Sequence, residues 1–206
     1  MREKYLIRIA KGISVLFSPF YAPLLAFLWL FFFSYLQLLP ISYKLFILIA
    51  VAVFTIIIPR FGINIFRWSN KWTHHQLSAR QNRFVPYIMT IISYAVCMFV
   101  FDSINTAQFM KSILIAGLVA QLLCTFINLR WKVSTHMVGI GGFTGAYVAF
   151  GELFYFNPVW GLALLILLSG VLGTARMYLR QHSLWDIIVG FFIGFTCAWI
   201  FILVRW

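Results

Sequence analysis

The chain has 206 residues, 63% of them apolar and only 10% charged, with a formal net charge of +12. A soluble domain carries about 25% charged residues, so this composition excludes one and points to a chain that lives in a bilayer. The basic residues sit in short segments between apolar runs, which favours anionic headgroups or phosphorylated substrates as partners over nucleic acid.

The basic N-terminus, residues 1–11, has no small-residue cleavage site after it, so it leads into a retained first helix rather than a signal peptide. Seven apolar runs then approach the roughly 20 residues that a helix needs to cross hydrocarbon. The first, Ser14–Leu36, is expected as one helix with Pro19 and Pro23 in its first turns, a tolerable place for a kink in a bundle. The second is Leu45–Ile65, where Pro59 and Arg60 are expected to break the last turns. A polar stretch follows over residues 67–83, containing His74, His75, Arg80 and Arg83; Trp68 and Trp72 among its cations mark it as interfacial. His74 and His75 are adjacent and cannot share a helical face, so they are not expected to form a metal pair.

The third and fourth runs are Phe84–Phe101 and Phe109–Ile127. The segment Arg130–His136 opens the fifth, Met137–Phe154, and the sixth and seventh are Val159–Ala175 and Leu184–Val204. The expected fold is all-α: a polytopic transmembrane helical bundle of six to seven spanning helices, one domain over residues 1–206. Cys97, Cys124 and Cys197 lie inside apolar runs without metal spacing and read as buried free thiols. The glycines at 139, 141, 142, 145, 190 and 194 have small-xxx-small spacing, which predicts close helix packing; a phosphate-cradling loop is the alternative.

Candidate chemistry concentrates in two places. Arg176, His182 and Asp186 lie where the sixth run ends and the seventh begins. A charge near lipid is costly and is usually kept for a reason. On a helix, His182 and Asp186 would share a face, and a carboxylate behind an imidazole fixes its tautomer and supports its cation. Arg176 offers a planar fork of donors suited to phosphate oxygens. The bland alternative is a capped loop with a snorkelling arginine. The second place is Lys132, Ser134 and His136, at the start of the fifth helix, where unpaired N–H groups and the positive dipole end favour an anion. Simple helix capping by Ser134 or Thr135 is the alternative there. Arg80 and Arg83, three apart, either join Arg176 around a phosphate or flank the third helix as topological charge.

Ser134-Thr135-His136 followed by Arg176-x5-His182-x3-Asp186 resembles the second and third signature motifs of the type 2 phosphatidic acid phosphatase family. These are integral-membrane lipid phosphatases related in fold to acid phosphatases and vanadium haloperoxidases. Ala175 replaces the usual leading Ser of the third motif. Val133 and Thr135 replace the Pro and Gly of the second. The first motif, Lys-x6-Arg-Pro, is represented by Arg80-x2-Arg83-x2-Pro86, so the likeness covers residues 80–186. The resemblance implies that His182 is the nucleophile, Asp186 its orienting acid and His136 the general acid. It implies that Arg176, Arg80, Arg83, Ser134 and Lys132 bind phosphoryl oxygens, with no metal and no other cofactor. The substrate would be a membrane lipid phosphate or pyrophosphate. A lipid phosphotransferase with the same intermediate and a non-catalytic phospholipid-binding or transport bundle are the competing functions. Nothing in the sequence defines an oligomer.

Seven crossings put the N-terminus and all the motif-bearing loops on one face. That face carries 13 of the 16 Lys and Arg residues; setting aside Arg80, Arg83, Lys132 and Arg176 as site residues leaves nine against three. The positive-inside rule then predicts a cytoplasmic active face, in a bacterial inner membrane. A reporter fused after Trp206 is expected outside the cytoplasm; a cytoplasmic reporter reverses the assignment.

Overall fold

The computed structural model describes residues 2–72, 82 and 84–204. The helices among them are α1 (Arg2–Leu16), α2 (Ala22–Phe33), α3 (Ile41–Ala52), α4 (Ile58–Ser69), α5 (Phe84–Ser103), α6 (Gln108–Asn128), α7 (Thr135–Phe154), α8 (Val159–Tyr178) and α9 (Leu184–Val204). Seven stretches of them are long and apolar enough to cross a membrane, and α1 with α2 and α3 with α4 each make one such stretch. The polytopic all-helical bundle expected from composition is therefore the architecture found. Its outer surface is studded with exposed apolar side chains such as Ile92, Phe99, Phe126, Leu167 and Phe192, the surface that hydrocarbon would cover.

The first run is not one helix. Pro19 lacks the N–H that a continuing helix needs, so α1 stops at Leu16, a 3₁₀ turn spans Pro19–Tyr21, and α2 restarts with Pro23 in its first turn. The second run keeps its continuity through a π-helical turn at Val53–Ile57, just ahead of Pro59, as expected of a helix that absorbs a proline. The two irregularities face each other. Thr55 Oγ1 donates to the Phe20 carbonyl at 3.5 Å, and the Ser93 hydroxyl donates to the Phe54 carbonyl. Arg60 lies over the Phe20 and Tyr21 rings, at 5.5 and 4.9 Å, and donates to the Tyr21 hydroxyl at 3.0 Å. Side-chain hydroxyls thus take over carbonyls freed by the distorted backbone, a requirement wherever water is excluded.

The tightest packing is between α7 and α9. A β-carbon on Gly141 would collide with the Phe191 carbonyl, one on Gly145 with that of Phe195, and one on Gly194 with that of Val138. A β-carbon on Gly190 would come within 2.8 Å of the Ser134 carbonyl. The predicted small-residue packing is thus a seam of bare backbone, and the glycines at 139–145 lie inside α7 rather than in a cradling loop. Gly139 instead receives Pro19, whose Cα would lie 2.8 Å from an added methyl. An apolar core of Phe27, Leu30, Phe31, Val51, Phe101 and Phe150 fills the bundle toward the α2–α3 turn. A smaller cluster of Met137, Ile140, Leu172 and Ile187 lies near the opposite end, with Ile13 and Phe17 of the α1 segment against it.

Gly194→Ala is expected to destabilise the protein by about 1–3 kcal/mol, the usual cost of overpacking. Gly170→Ala adds a methyl that meets nothing within 4 Å and is expected to be neutral or slightly stabilising. Reversible unfolding in mixed micelles measures both, and equal effects at the two positions would count against the seam.

Candidate active site

The end of α8 and the start of α9 are built by two local devices. The Gln181 N–H donates to the Arg176 carbonyl at 3.2 Å and the Arg180 N–H to that of Met177 at 2.8 Å. Arg180 itself is left-handed, with φ of 52°. This is a Schellman stop with Arg where Gly is usual, and it turns the chain back four residues after Arg176. The next helix opens with a capping box. The Ser183 N–H donates to Asp186 Oδ2 at 2.8 Å, and Ser183 Oγ accepts from the Asp186 N–H at 3.3 Å.

His182 stands one residue before that cap. Its Nδ1 lies 3.5 Å from Asp186 Oδ2. The expected pairing is present, but not for the expected reason. His182 is outside α9, so the two residues meet because the capping box folds Asp186 back toward the loop, not because they share a helical face. Asp186 is thus at once the capping residue of the bland alternative and the partner of the histidine.

The loop before α7 docks onto this start. The Ser134 N–H donates to the Asp186 carbonyl at 3.2 Å, and Trp131 Nε1 donates to Asp186 Oδ1 at 2.7 Å. Ser134 is the N-cap residue of α7, with extended backbone, yet its hydroxyl makes no cap hydrogen bond. That hydroxyl is fully buried and has no hydrogen-bond partner among the described residues. Capping therefore does not account for the side chain. Arg176, His182 and Asp186 are each more than nine-tenths buried. His136, in the first turn of α7, and Lys132, in the loop, are half-buried. Arg80, Arg83, His74 and His75 lie outside the described residues. Among the described residues no three His, Cys, Asp or Glu side chains gather as a metal cluster would.

Trp131 is the contributor that motif reading passes over. Its indole reaches the Asp186 carboxylate from 55 positions away, so its spacing carries no local signal. The Ser183-x-x-Asp186 box, by contrast, is written in the sequence as a Ser followed three residues later by an acid before an apolar run.

His136 also lines a cavity of about 260 Å³ that continues between α5, α6, α7, α9 and the Pro19 turn, past Gly142 and Ala146 to Ile113 and Ile202. The polar end of the bundle and its apolar interior are thus continuous at this histidine.

These features define a polytopic helical membrane protein with a buried imidazole–carboxylate pair and a buried guanidinium at one end of the bundle. The PAP2 superfamily matches residues 87–206, and the chain belongs to that superfamily, as the motif resemblance implied. Its members are phosphatases, so the general activity that membership carries is phosphoester hydrolysis. The match contains Ser134, His136, Arg176, His182 and Asp186 and begins after Arg80 and Arg83. No curated protein and no solved structure matches the chain significantly.

Ser183→Ala removes the cap oxygen and is expected to cost about 1 kcal/mol. Arg180→Gly relieves the left-handed strain and is expected to return about 1 kcal/mol. Unfolding of the purified protein in micelles gives both values, and opposite signs are the check.

Proposed function

We propose that this protein is a metal-independent phosphatase that removes a phosphate from a membrane lipid phosphate or pyrophosphate through a phosphohistidine. The observation that carries the reading is the hydrogen bond from the Ser134 N–H to the Asp186 carbonyl, which joins the His136 segment to the His182–Asp186 pair. Superfamily membership supplies the class of reaction, and the apolar cavity beside His136 favours a lipid as its substrate.

In this mechanism Nδ1 of His182 faces the Asp186 carboxylate, which leaves Nε2 to attack. Nε2 forms a bond to phosphorus as the bond from phosphorus to the lipid oxygen breaks. His136 gives its proton to that leaving oxygen. Positive charge builds on the His182 ring, and the carboxylate behind it offsets that charge. Water then attacks the phosphorus, His136 takes the water's proton, and the P–N bond breaks to release phosphate and restore the enzyme. Trp131 holds the carboxylate in register.

Arg176, the Ser134 hydroxyl, Lys132 and the N-terminus of α7 hold the non-reacting oxygens, with Arg80 and Arg83 adding charge from the preceding stretch. Phosphate monoester hydrolysis is among the slowest uncatalysed reactions, requiring barrier reductions of about 20 kcal/mol or more. Fixed cations and oriented N–H groups in a site from which water is largely excluded are the main means of achieving that.

Phosphate release from lipid phosphates in micelles is expected to vanish with His182→Ala and to fall about 10²–10⁴-fold with His136→Ala, the range that general acid–base catalysis contributes. Trp131→Phe should lower kcat with little change in KM. Acid-labile labelling of the wild type by radioactive substrate, absent in His182→Ala, would identify the intermediate. Unchanged turnover in folded His182→Ala sinks the proposal. Strict dependence on an acceptor alcohol would instead mark a phosphotransferase, and binding without turnover a lipid-binding bundle.

A further inference from the structure

One wall of the cavity below His136 is not apolar. Thr90 on α5 and Gln121 on α6 both line it, and their side chains are bonded to each other, with Thr90 Oγ1 2.8 Å from Gln121 Oε1. Thr90 Oγ1 also lies 2.9 Å from the Pro86 carbonyl and 2.8 Å from that of Tyr87, so its position is fixed by its own helix. The Gln121 amide nitrogen makes no hydrogen bond to the described residues. Turning the carboxamide over would use one of its two N–H groups on Thr90 and leave the other. In either orientation an N–H donor on the cavity wall lacks an acceptor, and a purely hydrocarbon occupant would leave it that way at a cost in free energy.

Its depth matters. Gln121 is seven residues before Asn128, the end of α6 beside the active-site loop, which is about 10 Å along the helix at 1.5 Å per residue. In an acylated glycerophosphate, the nearer ester carbonyl oxygen is six bonds from the phosphorus, about 7–8 Å along an extended chain. A hydrogen bond of about 3 Å completes the distance. A polyprenyl phosphate has no acceptor at that point.

We propose that Gln121, held by Thr90, is a specificity-determining residue that donates to an acyl-ester carbonyl of the bound lipid, so that the substrate is an ester-linked glycerolipid phosphate. The proposal rests on the lipid-phosphatase reading above and names its substrate class. The acyl chain beyond the ester occupies the apolar part of the cavity toward Ile113 and Ile202.

The test compares dioleoyl phosphatidic acid, its dialkyl-ether counterpart with the same chains and no carbonyls, and a polyprenyl phosphate, all in mixed micelles. Wild-type kcat/KM is expected to favour the ester over the ether by about tenfold. Gln121→Leu should lower the ester value to that of the ether and leave the ether value unchanged. Thr90→Val, which removes the brace but keeps the donor, should narrow the ratio part-way and serves if Gln121→Leu does not fold. Equal turnover of ester and ether by the wild type, a preference for the polyprenyl phosphate, or an equal loss on both substrates in Gln121→Leu would overturn the proposal. Retention of ester against ether lipid from an equimolar mixture, read by native mass spectrometry of the wild type, tests recognition apart from turnover. Ester-selective retention without phosphate release would sink the phosphatase reading and keep this one; equal retention would sink this one alone.

Discussion

Two helices can lie backbone to backbone only where neither carries a side chain at the point of contact, and the α7–α9 seam meets that condition at Gly141, Gly145, Gly190 and Gly194. Hydrocarbon solvent supplies no hydrophobic drive for helices to associate, so close van der Waals fit and hydrogen bonds have to do it. The uppermost glycine of the seam, Gly190, sits against the Ser134 carbonyl, and four residues earlier Asp186 accepts from the Ser134 N–H. Chain segments some fifty residues apart therefore arrive at one place because their backbones touch. The segments that carry His136 and Asp186 meet there.

What this seam brings together is unusual for a membrane interior. A buried guanidinium, a buried carboxylate and two histidines gather at one end of an otherwise apolar bundle. Another ion pair, Lys111 with Asp102 at 2.7 Å, is in the turn at the opposite end, where the Asp102 side chain is open to its surroundings and such pairs contribute little. The asymmetry gives the molecule a working end and a plain end. The Pro19 turn and the small cluster around Met137 and Ile187 belong with the former, and the cavity leads from it into the bundle.

Much of this was legible in the sequence. Runs of apolar residues predict spans because the bilayer demands a minimum length and allows few interruptions, and α5 to α9 fall within a few residues of the predicted boundaries. Glycine spacing predicted the seam for the same physical reason that made it. Arg176, His182, Asp186, Ser134 and His136 stood out because polar groups in lipid are expensive, and superfamily membership agrees with the motifs they form. Other features were not legible. The proline at 19 reads as a kink within one helix, whereas the chain breaks there, with the neighbouring π-turn taking up one freed carbonyl through Thr55. Trp131 looks like an interfacial anchor because its carboxylate partner is remote in sequence. The His182–Asp186 spacing suggested one helical face, whereas the cap geometry brings them together from either side of the helix start.

The capping box gives Asp186 two duties that cannot be separated. Its carboxylate helps start α9 by accepting the Ser183 N–H, and the same oxygen faces His182. The carboxylate therefore stands beside the imidazole as soon as the first turn of the helix exists, and no ordering step remains to be made once the hairpin has closed. Setting this carboxylate beside the imidazole and nucleating the final helix are one event, so the entropy of fixing the acid is met during folding.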